Sequence, residues 1–246
     1  FADGNRYMGE IKKNQPDGKG NFLFKNGREY TGDVRKGIMH GNGTLTFADK
    51  RKFTGSFKDG KIDGDGVLTW PDGKKYTGQF SESLPDGAGT LAWPDGRIYT
   101  GEFIKGMVEG RGQLTWPNGK KIIGNFEKGL INGQGEMSHA DGRKYIGDFQ
   151  TGKKHGRGTF SWPDGRLYMG EFFEDSFQGE GTYIWPNKDR YQGNFIKGMP
   201  QGKGTYRHAD GIKFEGIFRD GLPWKGQEID IGGKQIRSYV SGKSVK

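Results

Sequence analysis

Cysteine is absent from the 246 residues, and no stretch of 18 apolar residues occurs. The first absence excludes disulfides, thiolate metal ligands and cysteine nucleophiles, and the second argues against a membrane-spanning helix. Hydrophobic residues make up only 30% of the chain, whereas 47 residues are glycine. Because so little hydrophobic material cannot fill a thick core, these proportions favour a thin, glycine-rich architecture.

Basic residues outnumber acidic ones, 39 to 30, giving a formal net charge of +9. The two kinds are interspersed, which is typical of a solvated surface. We therefore expect no nucleic-acid partner and only a weak attraction to anionic lipid. The chain begins at Phe1, inside what reads as a repeat. We expect that it was cut from a longer protein, so an upstream signal, anchor or enzyme domain would not be seen.

A 23-residue repeat recurs ten times without insertion or deletion. Positions within the repeat are numbered from 0 at its first residue, which is usually aromatic. Position 2 is glycine in all ten repeats, position 4 is phenylalanine in eight, and positions 11 and 13 are glycine in the first nine. Position 0 falls at Tyr7, Tyr30, Phe53, Tyr76, Tyr99, Ile122, Tyr145, Tyr168, Tyr191 and Phe214.

The chemistry inside one repeat is that of a β-hairpin. Gly89, Leu91 and Trp93 alternate with polar residues, as a strand does, and the chain returns from Tyr99 with the same period of two. Residues 94–96, Pro-Asp-Gly, predict a type I turn closed by a glycine bulge. Positions 5 to 12 are interpreted as a glycine-rich loop. The sequence thus predicts an all-β, elongated, single-layer solenoid of tandem antiparallel hairpins.

The strand glycines share a predicted face with the aromatic rings, as Gly101 does between Tyr99 and Phe103. Glycine normally weakens a strand, but here it removes the side chain beneath a neighbouring ring. We predict that the rings lie flat over the glycine backbone. One sheet layer could then bury its rings without a second layer.

These residues match the MORN repeat (membrane occupation and recognition nexus), whose pattern is Tyr-x-Gly-x-Phe, then Gly-x-Gly-x-Leu-x-Trp, then Asp-Gly. The resemblance covers residues 3 to 224. It implies a right-handed, twisted sheet whose aromatic groove can hold a partner segment, and in some members end-to-end dimers. MORN arrays occur in lipid kinases, junctophilins and cytoskeletal proteins, and this unbroken array resembles the parasite cytoskeletal kind most. The resemblance leaves the compartment open between cytoskeleton and membrane association in the cytoplasm.

The pattern changes in the tenth repeat. Lys225 and Gln227 stand where the glycine pair is expected, and Ile229 and Ile231 continue the alternation. The sequence predicts ten repeats in residues 1–224, followed by irregular cap strands and a basic tail in residues 225–246. Lys50 and Lys188 replace the turn glycine of their repeats, at a mild cost in stability.

No catalytic constellation is present. The Gly-x-Gly pairs precede strands rather than helices, no Gly-Lys-Ser/Thr or His-Glu-x-x-His motif occurs, and the four histidines lack ligand spacing. We therefore expect no enzyme, no metal and no cofactor. Position 3 is often acidic, as in Glu102, Asp148 and Glu171. We interpret these residues as surface ion-pair partners of the basic residues at position 22.

Two surfaces are candidates for recognition. The first is the ring face, which we expect to stay partly open as a partner-binding groove for a helical or extended protein segment. Its predicted residues are Trp70, Trp93, Trp116, Trp162, Trp185, Tyr76, Tyr99, Tyr145 and Tyr168. The alternative is that stacking on glycine already buries these rings.

The second surface is an interaction patch on the opposite face, in repeats six to nine. Position 1 is threonine in repeats two to five but apolar in repeats six to eight. A solvated face has no reason to become apolar in one stretch only, although ordinary β propensity is the alternative explanation. The predicted patch comprises Ile123, Ile146, Met169, Phe173, Phe177, Ile184, Ile196 and Met199.

The C-terminal edge offers a third prediction. An uncapped β edge tends to pair with another chain, so we predict a two-fold homodimer through the C-terminal third, near Trp224, Ile229, Ile231 and Tyr239. The alternative is a self-folded cap in which residues 236–240 pair back on 229–231.

The function that these residues favour is a non-catalytic scaffold that binds a protein segment and can self-associate. One alternative is a membrane-associated module that reads phosphoinositides through basic residues after each turn: Lys74, Lys75, Arg97, Lys120, Lys121, Arg143 and Lys144. A further alternative is a regulatory repeat domain of a larger enzyme.

Overall fold

The computed structural model describes residues 4–245, which contain strands and turns but no helix, and so none that could cross a membrane. Residues 1–3 and Lys246, the outer ends of the two predicted domains, lie outside the described residues. The strands are β1 (Arg6–Lys12), β2 (Gln15–Leu23), β3 (Glu29–Arg35), β4 (Ile38–Thr46), β5 (Lys52–Lys58), β6 (Lys61–Thr69), β7 (Lys75–Ser81), β8 (Leu84–Ala92), β9 (Ile98–Ile104), β10 (Met107–Thr115), β11 (Lys121–Glu127), β12 (Leu130–Ser138), β13 (Lys144–Gln150), β14 (Lys153–Ser161), β15 (Leu167–Phe173), β16 (Ser176–Ile184), β17 (Arg190–Ile196), β18 (Met199–Arg207), β19 (Lys213–Arg219), β20 (Leu222–Ile229), β21 (Gln235–Val240) and β22 (Lys243–Val245).

These strands belong to one 22-stranded sheet, and each described pairing is antiparallel and joins a strand to the next one along the chain. The chain divides into two compact units, one running to Pro117 with Phe126–Gly129 added, the other comprising Asn118–Asn125 and the residues from Leu130 onward. Both units consist of successive copies of the same kind of hairpin. The predicted all-β class and single layer of hairpins are confirmed, while the handedness of the twist stays a prediction.

The hairpin turn has the predicted geometry. At residues 93–97, Gly96 N–H donates to the Trp93 carbonyl and Trp93 N–H donates to the Arg97 carbonyl, both at 2.9 Å. Gly96 has a φ of 84°, in the left-handed region that glycine tolerates best. The Asp95 carboxylate accepts the Arg97 N–H at 3.1 Å, as turn aspartates do. Proline, aspartate and glycine therefore each have a defined part in the turn.

The predicted glycine-rich loop at positions 5 to 12 is wrong. Lys105 and Gly106 alone connect β9 to β10, and both have positive φ, 49° and 83°, as a type I′ turn requires. The remaining positions lie inside β10, where the register shifts between Val108 and Gly112 in a bulge. Lysine is an unusual first residue for this turn, so the sequence signal was weak.

Each type I′ turn also bonds to the preceding repeat. Gly106 N–H donates to the Pro85 carbonyl at 2.7 Å, and Lys105 N–H donates to Asp86 Oδ2 at 3.2 Å. Equivalent side-chain bonds involve Asp17, Glu109, Asn132, Gln178 and Gln201. Position 10 therefore supplies an acceptor that fixes one repeat on the next.

The core is a row of aromatic rings on one face of the sheet. Tyr99 is 1% exposed, and its ring packs edge-on against Phe103 and Phe126, with centroids 5.4 and 5.1 Å apart. The ring lies over Gly112, where an added Cβ would sit 2.5 Å from the ring carbons Cε2 and Cζ. The predicted stacking on glycine is confirmed, and burial raises the pKa of Tyr99 to about 12.

We predict that Lys50→Gly stabilises the protein by about 1 kcal/mol, because Lys50 holds a φ of 69° that costs a side-chain residue energy. The matched reversal is Gly73→Lys at the same position of the next repeat, where φ is 91°. It should cost a similar amount, since an added Cβ meets only Pro94, at 4.0 Å. Chemical denaturation measures both; a destabilised Lys50→Gly variant would contradict the argument.

Candidate functional site

The turns carry a row of half-exposed aromatic side chains at position 17, which we call the aromatic strip. Position 17 follows the residue at position 15 on the ring face, as Trp93 follows the buried Leu91. It lies where the hairpin ends in the Pro-Asp-Gly turn. No neighbouring strand covers that end fully. In the first unit the strip comprises Phe24, Phe47, Trp70, Trp93 and Trp116, and in the second Trp162 and Trp185.

A cation from the same turn holds most of these rings. The Arg97 guanidinium lies 5.0 Å from the Trp93 ring centroid, and the Lys74 ammonium lies 4.8 Å from that of Trp70. The same contact occurs at Phe24, Phe47 and Trp162. Because a cation over the ring face limits ring motion, the strip is an ordered surface rather than a set of free side chains.

The tyrosines assigned to the groove belong to the core instead. Tyr76, Tyr99 and Tyr145 are each 1% exposed and Tyr168 is 0% exposed. The expectation that these rings stay partly open is therefore wrong. Position 0 lies in mid-strand beneath the rings of two repeats, whereas position 17 lies at the hairpin end. Only the tryptophans of the predicted groove reach the surface, and their partner-binding role stays a prediction.

The predicted interaction patch divides between the two faces. Phe177 stacks on Tyr168 with a centroid distance of 3.8 Å, so it lies on the ring face and not in the patch. Ile184 is half-buried on the outer face, in register with Leu167. The other six residues are between 40% and 56% exposed: Ile123, Ile146, Met169, Phe173, Ile196 and Met199.

The exposed patch residues are neither continuous nor confined to repeats six to nine. In the sheet, Ile146 lies between Glu136 and Thr159, so apolar and polar side chains alternate across the strands. Similar exposed apolar side chains occur in the first unit at Ile38, Leu84, Ile98, Ile104 and Met107. The premise of a single apolar stretch is thus wrong, and the patch as an interface stays a prediction.

The C-terminal end forms the self-folded cap. β21 pairs with β20, with Tyr239 opposite Gly226 and Ser238 opposite Gln227, so it pairs on residues 226–229 rather than 229–231. Tyr239 packs edge-on against Phe214 at 5.3 Å, and Gly242 N–H donates to the Trp224 carbonyl at 2.9 Å.

Of the predicted dimer residues, Trp224, Ile229 and Tyr239 are half-buried within this cap, and Ile231 is 81% exposed. The tenth repeat lacks the Gly-x-Gly pair, but it keeps a glycine opposite the position 2 glycine, because Gly226 lies opposite Gly216, one residue earlier than the spacing predicts. A bulge shortened by one residue explains the shift. The homodimer stays a prediction.

Three of the seven basic residues in the predicted lipid-binding set pair with carboxylates of the chain. Arg97 and Arg143 each place Nε 2.7 Å from the aspartate of their own turn, Asp95 and Asp141. Lys144 Nζ lies 2.9 Å from Glu136. Lys75 is exposed, and Lys120 and Lys121 are half-buried. Because paired charges attract lipid less, the structure offers no specific support for lipid binding, which stays a prediction.

Two polar features were not recognised from the sequence. Four position 3 residues, Glu10, Asp33, Gln79 and Asp148, accept the N–H of the bulge opposite them, as Asp148 does from Arg157 at 2.9 Å. Asp189 replaces the usual position 21 cation and is 9% exposed. It accepts the Tyr206 hydroxyl at 2.6 Å and the Ala209 N–H at 2.9 Å. The departure of Asp189 from the repeat consensus was the sequence signal that could have indicated its role.

Among residues 4–245 no group of three or more histidine, cysteine, aspartate or glutamate side chains could hold a metal ion. His155 Nδ1 accepts the N–H of Gly156 at 2.9 Å, which is a local backbone contact. His139 and His208 occupy the strip position of their repeats. These three histidines therefore occupy regular positions of the repeat: His155 contacts the backbone next to it, and His139 and His208 replace strip rings.

Comparison with known proteins identifies the family. The model of the MORN repeat matches residues 7–27, 30–50, 53–75, 76–96, 99–121, 123–142, 145–165, 168–190 and 191–213. These nine matches cover most of the chain, which belongs to the MORN repeat family. The tenth predicted repeat, from Phe214, lies outside the matched ranges, although β19 and β20 pair as a hairpin. The predicted domain boundary stays a prediction.

No curated protein matches the chain significantly. Solved structures with some similarity include the TCP10 domain of Danio rerio CPAP, at 18% identity over 80% of this chain and 95% of that chain, with a TM-score of 0.46. Another is the Drosophila melanogaster SAS-4 TCP domain in complex with a proline-rich motif of Ana2, at 15% identity over 69% and 90%, with a TM-score of 0.44. Similarity at this level carries no argument about function.

Proposed function

We propose that this chain is a non-catalytic scaffold that binds a protein segment along the aromatic strip. The observation that carries the proposal is the division of the rings: position 0 is buried, while position 17 stays half-exposed, ordered by its turn and by a cation. Aromatic side chains held in place contribute contact area at little entropic cost, which is why they dominate protein interfaces.

The spacing of the strip constrains the partner. One strip residue occurs per hairpin, and a hairpin is two strands wide, so successive rings are about 10 Å apart. Seven residues of an α-helix span about 10.5 Å, and three residues of an extended segment span about 10 Å. A helical or extended segment with an apolar side chain recurring at that distance would therefore meet each ring in turn.

The described surface is less consistent with an enzyme that acts on a small molecule. A depression of about 620 Å³, lined in part by Gln192, Lys203 and Ile217, lies open to solvent and has no aromatic lining. Substrate sites of enzymes are concave and exclude water. This depression therefore supports an extended docking surface better than a substrate site.

The test is capture of binding proteins from a lysate on the immobilised 246-residue chain and on its Trp70→Ala/Trp93→Ala variant. We expect the specifically captured protein to fall at least tenfold with the variant, because central aromatic contacts dominate interface affinity. The matched control is Thr77→Ala/Thr100→Ala, which alters exposed outer-face residues in the repeats that directly follow those of Trp70 and Trp93. Equal capture by the folded tryptophan variant would overturn the proposal.

A further inference from the structure

One position on the ring face carries a charge where the other repeats carry an apolar residue. Position 9 is proline, methionine, isoleucine, valine or phenylalanine in nine repeats and lysine in the seventh, at Lys154. Lys154 lies opposite Phe149 in the β13–β14 pairing, and Phe149 is 3% exposed in the core. The lysine therefore stands where the other repeats place an apolar residue beside the core, and not at a solvated edge.

The aromatic surroundings hold the Lys154 side chain at the ring face. Its Nζ lies 5.6 Å from the Phe160 ring centroid and 6.0 Å from that of Tyr145. The side chain is only 15% exposed and pairs with Asp175 Oδ1 at 3.1 Å, while the Asp175 side chain is 48% exposed. A largely desolvated ammonium group thus has its one described carboxylate partner at the solvent boundary.

A second departure from the pattern lies next to the first. His139 occupies the strip position of the sixth repeat, where seven of nine repeats have an aromatic ring. Burial lowers the pKa of His139, and the charges of Arg143, Lys120 and Lys154 lower it further. Burial likewise lowers the pKa of Lys120, and Lys154 adds to the shift. Burial and the neighbouring positive charges thus disfavour the charged form of His139.

The local charge balance is positive. Asp141 pairs with Arg143 and Asp175 pairs with Lys154, and Lys120 adds a further positive charge that acts on His139. Phe160 and Trp162 adjoin the cluster, with ring centroids 4.4 Å apart. An apolar platform thus lies beside a concentration of positive charge on the same face.

We propose that Lys154, beside the rings of Phe160 and Trp162, receives the carboxylate of an aspartate or glutamate in the protein segment bound along the strip of the second unit. This inference rests on the proposed function. Charge complementarity determines the occupant: the Lys154 side chain is a positive group that is already largely buried, so pairing with a carboxylate costs it little further hydration. The neighbouring residue of the segment packs on Trp162.

The test begins with selection of 12-residue peptides from a phage library on the full chain. Dissociation constants of the best peptides are then measured with wild type, with Lys154→Met, with Trp162→Ala and with the control Lys153→Met. Methionine restores the apolar character of position 9, so the fold is retained. Lys153 is the next residue on the same strand, faces outward, and has its own ion pair with Glu174 at 2.9 Å.

We expect the selected peptides to share an acidic residue beside an apolar one, and Lys154→Met to weaken binding about tenfold, with Lys153→Met near wild type. Replacing the peptide's Glu by Gln should have the same effect, and the two changes together should be no worse than either alone. Peptides that lose affinity with Trp162→Ala but ignore Lys154→Met would overturn this inference and leave the proposed function standing. Peptides that ignore both changes, or a failure to select any, would overturn both.

Discussion

Gly112→Ala is expected to lower the free energy of unfolding by about 3 kcal/mol, a large effect for a single methyl group. The added Cβ would overlap the Tyr99 ring, and that ring cannot move away because it is 1% exposed between Phe103 and Phe126. Chemical denaturation measures the change. The adjacent Gln113→Ala is the control, since Gln113 is exposed on the same strand and its truncation should cost under about 0.5 kcal/mol.

A double-mutant cycle separates this cause from a general intolerance of alanine in the strand. Tyr99→Leu removes the ring and should itself cost about 3 kcal/mol. In that background Gly112→Ala should cost less than about 1 kcal/mol, because the clash has been removed. If the two costs simply add, ring packing is not the reason for the glycine.

Asp189→Ala is expected to cost about 2 kcal/mol, because it removes the acceptor of both the Tyr206 hydroxyl and the Ala209 N–H. Asp164→Ala is the matched control: Asp164 is an exposed turn residue whose bonds stay within its own turn, to Arg166. That change should cost under about 1 kcal/mol. Equal losses for the two variants would show that the bonds of Asp189 to the next repeat add nothing.

The contribution of Asp189 should also depend on pH. The Tyr206 hydroxyl, with help from the Ala209 N–H, holds the pKa of Asp189 below its usual value. A carboxylate with a depressed folded pKa stabilises the protein above its unfolded pKa of about 3.9, and this is lost as pH falls through the folded value. The stability difference between wild type and Asp189→Asn should therefore be constant near neutral pH and shrink below about pH 4. A difference unchanged down to pH 2 would contradict this.

The sequence predicted the hairpins and the glycine stacking because both repeat in every unit. Tyr99 over Gly112 follows from a mostly aromatic column at position 0 and a glycine column at position 13 that share one predicted face, and the turn at 93–97 follows from the conformational limits of proline and glycine. The Lys105–Gly106 turn was missed because a two-residue connection leaves little sequence between the strands, and its lysine has no strong left-handed preference.

The sequence could not predict which rings are buried, because burial depends on where a ring lies along the hairpin. Tyr99 and Trp93 share a face, and only the pairing of strands shows that the first is covered by neighbouring repeats and the second is not. The register of Gly226 depended on a bulge one residue shorter than those before it. The surroundings of Lys154 needed the folded chain, although its departure from an apolar column was visible beforehand.

Site-specific photocrosslinking tests the binding surface most directly. A benzophenone amino acid is placed at Trp93 on the strip or at Thr100 on the outer face of the adjoining repeat, and the captured partner is irradiated with each folded variant. If the strip is the docking surface, the partner crosslinks through residue 93 and not through residue 100. Crosslinking from residue 100 with none from residue 93 would place the partner on the opposite face and contradict the assignment.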